Sequence, residues 1–160
     1  MQTRYLLAIF AGALGGLHVD ASAAAREDRA RTFELSSTIV QEENIDFGQP
    51  GPTPGDAYAY SENLTSPDGK PVGTAGAFCT DVRIDDAART ITVNCNLTAD
   101  LGDGQIAAQG LATITFGELA GTFTIPITGG SGAYSNVGGQ LTVRKRDARH
   151  SRMIFQIARG

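Results

Sequence analysis

The sequence predicts an all-β fold, built either as a barrel or as a sandwich. Three observations support this: apolar and polar residues alternate over many short segments, turn signals separate these segments at short spacing, and no helical periodicity extends over three turns after residue 23. Eight segments show the alternation. They predict strands at 33–40, 56–64, 72–84, 90–99, 105–115, 122–128, 140–146 and 152–158. Eight strands closed into a barrel would leave an interior just wide enough for side chains or one small ligand.

Residues 1–23 have the three parts of an export signal: a basic start, an apolar run over 5–17, and small residues in an A-x-A pattern. The apolar run of about 13 residues is shorter than the roughly 20 that span a bilayer. We therefore expect a cleaved signal peptide, a secreted protein and no stable membrane anchor. A charged tail over 24–32 and a single domain over 33–160 make up the rest of the chain.

Several connections between the predicted strands carry residues typical of turns. Segments 67–69, 102–104 and 117–121 predict hairpin turns, because glycine, proline and aspartate accept turn dihedral angles. Segment 47–55 is the only long irregular connection, and it contains three prolines. We expect it to lie at one mouth of the barrel as a rim or lid.

The charge of the chain argues against one class of partner. The formal net charge is −4 and basic residues are not interleaved with aromatic ones, whereas nucleic-acid binders concentrate positive charge. We therefore expect no nucleic-acid partner. The basic residues near the C-terminus, at 144–146, 149 and 152, are interpreted as a solvated strand edge. An anion-binding patch is the alternative.

Few residues are available for the common catalytic chemistries. After removal of the signal, His150 is the only histidine, and the sequence implies no carboxylate or nucleophile beside it. Serine–histidine and cysteine–histidine catalysis need an imidazole against the nucleophile, so neither is expected. Zinc would need three or four ligands at workable spacing, and no nucleotide, nicotinamide or flavin motif occurs. We expect no metal and no cofactor.

The two cysteines, Cys79 and Cys95, suit an exported protein in which a disulfide persists. A predicted turn over 85–89 pairs Ile84 with Thr90, and the same register sets Cys79 directly opposite Cys95. Directly opposed residues at a non-hydrogen-bonded site lie about 4.5 Å apart at Cα, which a disulfide tolerates. This register predicts a Cys79–Cys95 bridge.

The hydrophobic pattern of the same hairpin favours another register. A shift by one residue would match Phe78 with Cys95 and Val82 with Ile91, so that apolar side chains share a face. The cysteines would then not oppose each other. A β-bulge near the turn would satisfy both demands. We expect the disulfide rather than free thiols, because free thiols rarely persist in an exported protein.

A polar and aromatic set early in the chain offers chemistry. The period of two puts Tyr58, Tyr60 and Glu62 on one face of one strand. Upstream, 41–44 (Gln-Glu-Glu-Asn) carries two carboxylates at the end of the preceding strand, where a barrel mouth should be. If Glu62 faces a cavity, its pKa should rise toward neutral pH. The alternative is that these acids are exposed on the strand and loop.

Residues 127–139, called here the glycine arch, form a glycine-rich segment between two predicted strands. The arch includes Gly129, Gly130, Gly132 and Tyr134. A phosphate-binding loop would need a helix N-terminus after it, but a strand pattern follows. The glycines are therefore interpreted as structural positions at a corner between strands, where positive φ or close backbone approach is required.

The glycine arch and two earlier segments share a pattern with a known family. The arch begins Ile-Thr-Gly-Gly-Ser-Gly-Ala-Tyr over 127–134, and the earlier segments are 104–110 (Gly-Gln-Ile-Ala-Ala-Gln-Gly) and 72–79 (Val-Gly-Thr-Ala-Gly-Ala-Phe-Cys). A Gly-Asp pair at 55–56 precedes the second strand. Together, these motifs resemble the allene oxide cyclase barrels and, more loosely, the dirigent proteins. The likeness covers residues 33–158.

The resemblance implies an eight-stranded antiparallel β-barrel, often a homo-oligomer, with a mostly apolar cavity and no cofactor. In that family the barrel folds a flexible, reactive substrate into one conformer, so that ring closure gives one stereoisomer. In the alignment that the resemblance suggests, Glu62 falls on a cavity asparagine of the plant enzymes, and Gln41 or Glu43 falls near their glutamate. Cys79 matches their cavity cysteine, and Ala112 stands where they carry a tyrosine.

From these features we expect a small apolar ligand or substrate. Glu62 and Glu43 are the candidate catalytic residues, and Tyr58, Tyr60 and Gln41 are the candidate substrate-binding residues. One hypothesis is a cofactor-free cyclase or isomerase, and a second is a non-catalytic, dirigent-like carrier. A third is a barrel filled by its own side chains, with a structural or interaction role. Cavity volume and turnover separate the three.

Overall fold

The computed structural model describes residues 30–117 and 121–160. The predicted signal peptide and most of the predicted charged tail lie outside these residues. Eight strands are described: β1 (Arg31–Ile45), β2 (Ala57–Thr65), β3 (Pro71–Asp85), β4 (Thr90–Asp100), β5 (Gln105–Thr115), β6 (Gly121–Gly130), β7 (Val137–Lys145) and β8 (His150–Arg159). In this part of the chain, no helix is long and apolar enough to cross a membrane.

Each strand pairs antiparallel with the next, and β8 pairs with β1, so that the sheet closes into a barrel. The closed sheet confirms the predicted eight-stranded antiparallel barrel and excludes the sandwich. The predicted strands match the observed ones because alternation follows the two faces of a barrel wall. The largest difference is in β1, which continues to Ile45 instead of ending at residue 40.

β1 contains a β-bulge at Val40, where the predicted strand ends. In the β1–β2 ladder, Ile39 pairs with Glu62 and Gln41 pairs with Ser61, so Val40 has no partner of its own. A single unpaired residue reverses which side chains face inward on the rest of the strand. The part of β1 after Val40 therefore has the opposite facing from the one that simple alternation predicts.

The β3–β4 hairpin contains the predicted disulfide. Cys79 pairs directly with Cys95, their Cα atoms are 4.0 Å apart, and the two sulfurs are bonded. A second bulge, at Val82, shifts the register toward the turn, so that Ile84 pairs with Ile91, one residue beyond its predicted partner. The predicted register thus holds at the cysteines, and the bulge lets both isoleucines share a face.

The buried apolar side chains form two clusters along the barrel. The larger one lies toward the glycine arch, where Phe33 stacks on Phe155 with ring centroids 4.9 Å apart. Besides Phe155, its largest fully buried side chains are Leu64, Ile106, Ile125, Leu141 and Met153. The smaller cluster consists of Cys79, Val93, Cys95 and Ala112. We call the region of the larger cluster the filled half and that of the smaller cluster the open half.

The glycine arch closes the filled half. A single turn of 3-10 helix, Gly132–Tyr134, lies between β6 and β7, and Tyr134 is buried against Phe33. Gly132 has a φ of +58°, and a Cβ atom there would lie 2.4 Å from the backbone oxygen of Asp103. Only glycine fits this close approach. The arch is a tightly packed corner between two strands.

The ladder between β5 and β6 is the least complete. It contains three residue pairs, all toward the glycine arch, whereas the β4–β5 ladder contains eleven. Among the described residues, no ladder pair joins 109–115 to 121–126. Pro126 contributes to this break because proline has no N–H group to donate. The wall of the open half therefore has one seam with few backbone hydrogen bonds.

Candidate functional site

The open half contains a cavity of about 480 Å³. Most of its wall is apolar or aromatic, with Ile39, Tyr60, Ile91, Val93, Ala112 and Phe123 among the lining side chains. Segment 46–52 and the turn between β7 and β8 border its mouth. The volume lies within the range of roughly 300 to 1,000 Å³ that small-molecule sites occupy.

Glu62 is the buried acid of this cavity. Its side chain lies on β2, one inward position before Leu64 of the filled half, and only 2% of the residue is exposed. Ser37 Oγ donates a hydrogen bond of 2.9 Å to Oε1. No described residue provides a hydrogen-bond partner for Oε2.

The protonation of Glu62 reflects this environment. Burial raises the pKa of the carboxyl group to about 6, because an ion loses its hydration in a low-dielectric interior. The hydrogen bond from Ser37 and the positive charge of Lys145 oppose the rise. The group therefore exchanges its proton close to neutral pH, as acid–base chemistry requires.

A second hydroxyl extends this contact. Ser151 Oγ lies 2.6 Å from Ser37 Oγ. Ser37, Glu62 and Ser151 are the only buried polar or charged residues in the described part of the chain. They lie on the neighbouring strands β8, β1 and β2 and form a polar belt between the filled and the open halves. Neither serine could be identified from the sequence, since each looks like an ordinary strand residue.

Two tyrosines form the wall next to Glu62. Tyr58 and Tyr60 have ring centroids 5.0 Å apart, and the Tyr58 hydroxyl donates to Glu42 Oε2 across 3.3 Å. Burial and the nearby Glu42 carboxylate raise the pKa of Tyr58 to about 12. Burial and the charge of Glu62 raise the pKa of Tyr60. Both phenols stay protonated near neutral pH and remain hydrogen-bond donors.

The structure does not bring Gln41 and Glu43 to the cavity. Because of the bulge at Val40, both face outward and are exposed. Glu42 and Asn44 take the inward positions, opposite Tyr60 and Tyr58. The adjacent apolar pair at 39–40, which interrupts the alternation, is the signal that could have revealed the shift.

The turn between β7 and β8 contains a polar pair. The expectation that no carboxylate lies beside His150 is wrong. Asp147 accepts a 2.9 Å hydrogen bond from the backbone N–H of His150 and lies 2.9 Å from its Nδ1. Hydrogen bonds from the Arg149 backbone and the His150 side chain lower the pKa of Asp147. The three-residue spacing of Asp147 and His150 across a tight turn is the sequence signal for this contact.

Two further positions determine how much room the cavity has. Cys79 lines the cavity as a disulfide, so its sulfur does not titrate. Ala112 lines the cavity from β5 with a single methyl group. The small side chain and the disulfide thus widen the open half.

The chain is similar to known proteins over most of its length. Residues 36–158 match the family described as "Allene oxide cyclase barrel like domain". A pyocyanin demethylase is 34% identical, with a TM-score of 0.70, and the match covers 79% of this chain and 99% of that one. No curated protein matches the sequence.

Two more distant structures share the fold. An exo-specific intermolecular Diels-Alderase is 16% identical, with a TM-score of 0.68 and coverage of 81% of this chain and 97% of its own. A nonspecific heme-binding cyclase of neoabyssomicin biosynthesis is 16% identical, with a TM-score of 0.65 and coverage of 88% and 68%. At this identity the likeness concerns the fold alone.

Proposed function

Because the chain belongs to the allene oxide cyclase-like barrel family, we propose that it binds a small, mostly apolar molecule in its open half and transfers a proton of that molecule through Glu62. The observation that carries this proposal is the buried Glu62 carboxyl group on the cavity, whose Oε2 has no partner among the described residues. A buried polar atom without a hydrogen bond is costly. A ligand that offers a donor to Oε2 removes this cost.

The proposed reaction is a cofactor-free isomerisation or ring closure. The apolar wall excludes water and restricts the bound molecule to few conformers. Ionised Glu62 removes a proton from an acidic C–H, N–H or O–H group of the ligand and returns it to another atom of the same molecule, so no oxidant is needed. Tyr60 also lines the cavity, and in this reaction its hydroxyl donates a hydrogen bond to the atom that gains negative charge.

The pyocyanin demethylase supports a flat aromatic compound as a first ligand to test, since it is 34% identical to this chain in a match that covers 99% of the demethylase and 79% of this chain. We also propose that the protein acts outside the cytoplasm. The Cys79–Cys95 disulfide supports this location, as does the predicted export signal at residues 1–23.

A carrier without catalysis is the second candidate. The mostly apolar lining favours it, because such a wall retains an apolar molecule without chemistry. The third hypothesis, a barrel filled by its own side chains, has less support, because the cavity of about 480 Å³ is large enough for a ligand.

The first prediction tests the proposed role of Glu62. Mass spectrometry of the purified protein identifies co-purifying small molecules, and these and pyocyanin are assayed as substrates. Glu62→Gln keeps the volume and removes the ionisable group, so turnover should fall by roughly 10²- to 10⁴-fold, the usual contribution of acid–base catalysis. Affinity for the compound should change little.

Glu43→Gln is the matched control, because it makes the same chemical change on the outward face of the barrel wall. Its turnover should equal that of the unmodified protein. Full activity of Glu62→Gln would exclude the catalytic role. Tight binding without turnover in the unmodified protein would favour the carrier.

A further inference from the structure

We infer that Ser37 and Ser151 are positioning residues for Glu62. They form a hydrogen-bonded chain with a single direction, Ser151 to Ser37 to Glu62, which holds Oε1 of the carboxylate and leaves Oε2 to the cavity. The hydrogen bonds between these three residues do not depend on the proposed function, but their importance for turnover does.

The three groups come from strands that are distant in sequence and adjacent in the barrel. Ser37 on β1 pairs directly with Ser151 on β8, so both side chains stand on the same face. Glu62 reaches Ser37 from β2. Their exposed fractions are 1%, 8% and 2%, in the order Ser37, Ser151 and Glu62. At this burial, bulk water does not compete for the hydroxyl groups.

The direction of the chain follows from counting hydrogens. Each serine hydroxyl has one hydrogen to donate. Ser37 uses its hydrogen for Oε1 of Glu62. The 2.6 Å contact between the two hydroxyls therefore needs the hydrogen of Ser151. Both donors then point toward the carboxylate, and the first bond strengthens the second by polarisation.

This direction favours the ionised form of Glu62. A carboxylate accepts two or more hydrogen bonds, whereas a carboxylic acid protonated on Oε1 would compete with the hydrogen of Ser37. The charged groups nearby act over longer distances. The charged or titratable residues that line the same cavity from other elements are Asp46, Asp56, Asp81, Lys145, Asp147, Arg149 and His150. Glu42 contacts the hydroxyl of Tyr58. Lys145, on β7, pairs in register with Ser151 and is the one that lowers the pKa of Glu62.

The test is a pH titration of Glu62 in the whole protein without ligand. Glutamate labelled with ¹³C at the carboxyl carbon is followed by NMR against pH, and the spectrum of Glu62→Gln identifies the Glu62 signal. Ser37→Ala should move the midpoint upward by about one pH unit or more, the effect of losing a hydrogen bond to a charged group. Ser151→Ala should move it in the same direction by less.

The double variant tests whether Ser151 acts on Glu62 through Ser37. If Ser151 acts only through Ser37, then Ser37→Ala with Ser151→Ala should titrate like Ser37→Ala alone. Ser36→Ala, one residue away on the opposite face of β1, should leave the midpoint unchanged. Ser37→Thr keeps the hydroxyl and should restore the midpoint.

Two results would overturn the inference: additive shifts of the two alanine variants, or a midpoint that Ser37→Ala does not move. If Ser37→Ala fails to fold, Ser151→Ala is the test. A titration midpoint of Glu62 that Ser151→Ala does not move would then overturn the inference. Because the titration needs no substrate, a failed inference can be distinguished from a failed proposal of function.

Discussion

The Glu62 carboxyl group links the site to the stability of the protein. Its pKa is raised from 4.5 to about 6, mainly by burial, so the folded state binds this proton more tightly than the unfolded state. For such a group, the stability gained from the bound proton is complete below the unfolded pKa and is lost as pH rises through the folded pKa. Near neutral pH the folded protein carries a buried charge that weakens it.

The second prediction follows from this linkage. Glu62→Gln removes the charge, so near pH 7.5 the variant should be more stable than the unmodified protein by about 2 kcal/mol. Near pH 3 the difference should vanish, because Glu62 is then protonated in both the folded and the unfolded state. Urea unfolding at several pH values measures this difference in the free energy of unfolding. An equal difference at all pH values would mean that the charge is not its cause, and Glu43→Gln should show no such dependence.

Strands with regular alternation could be predicted from the sequence, and strands with a bulge only in part. The face of β2 was predicted correctly, with Tyr58, Tyr60 and Glu62 together, because β2 has no bulge between residues 57 and 64. In β1 the extra residue Val40 shifts every later side chain. A bulge depends on how two strands fit each other, and the pattern within one strand does not contain that information.

The polar belt could not be predicted for a different reason. Ser37 meets Ser151 only because the first strand pairs with the last, across 114 positions of the chain. The Cys79–Cys95 register, by contrast, could be predicted from the sequence because a local turn connects the two strands. Local pairings follow from turn signals, whereas closure of the barrel is a property of the whole sheet.

The third prediction concerns the seam between β5 and β6, where 109–115 and 121–126 lack ladder pairs among the described residues. Backbone amides without a stable partner exchange quickly with solvent. Amides of 109–115 that point away from β4 should therefore exchange faster than the β4 amides that pair with β5. NMR-detected hydrogen exchange resolves the two sets. Equal protection on both sides of β5 would show that the seam is as closed as the rest of the wall.

The two halves of the barrel have different roles, one in stability and one in binding. The filled half has the large buried side chains, including Phe155, Leu141 and Met153, and supplies most of the apolar burial. The open half replaces such side chains with small ones and the disulfide, and so retains a cavity. Removing side chains from the filled half should cost stability, and adding them to the open half should cost binding.

The fourth prediction separates these effects with two substitutions. Leu141 is fully buried in the filled half, so Leu141→Ala should destabilise the protein by about 2 to 5 kcal/mol through the cavity it leaves. Ala112 lines the cavity, so Ala112→Leu should fill part of it with little loss of stability. Urea unfolding measures stability, and the fluorescence of anilinonaphthalene sulfonate, a small aromatic probe, measures binding. Leu141→Ala should keep its affinity for the probe under conditions where it is folded, whereas Ala112→Leu should lose it. If Ala112→Leu binds the probe as the unmodified protein does, the probe lies outside the open half, and the cavity would lose its support as the ligand site.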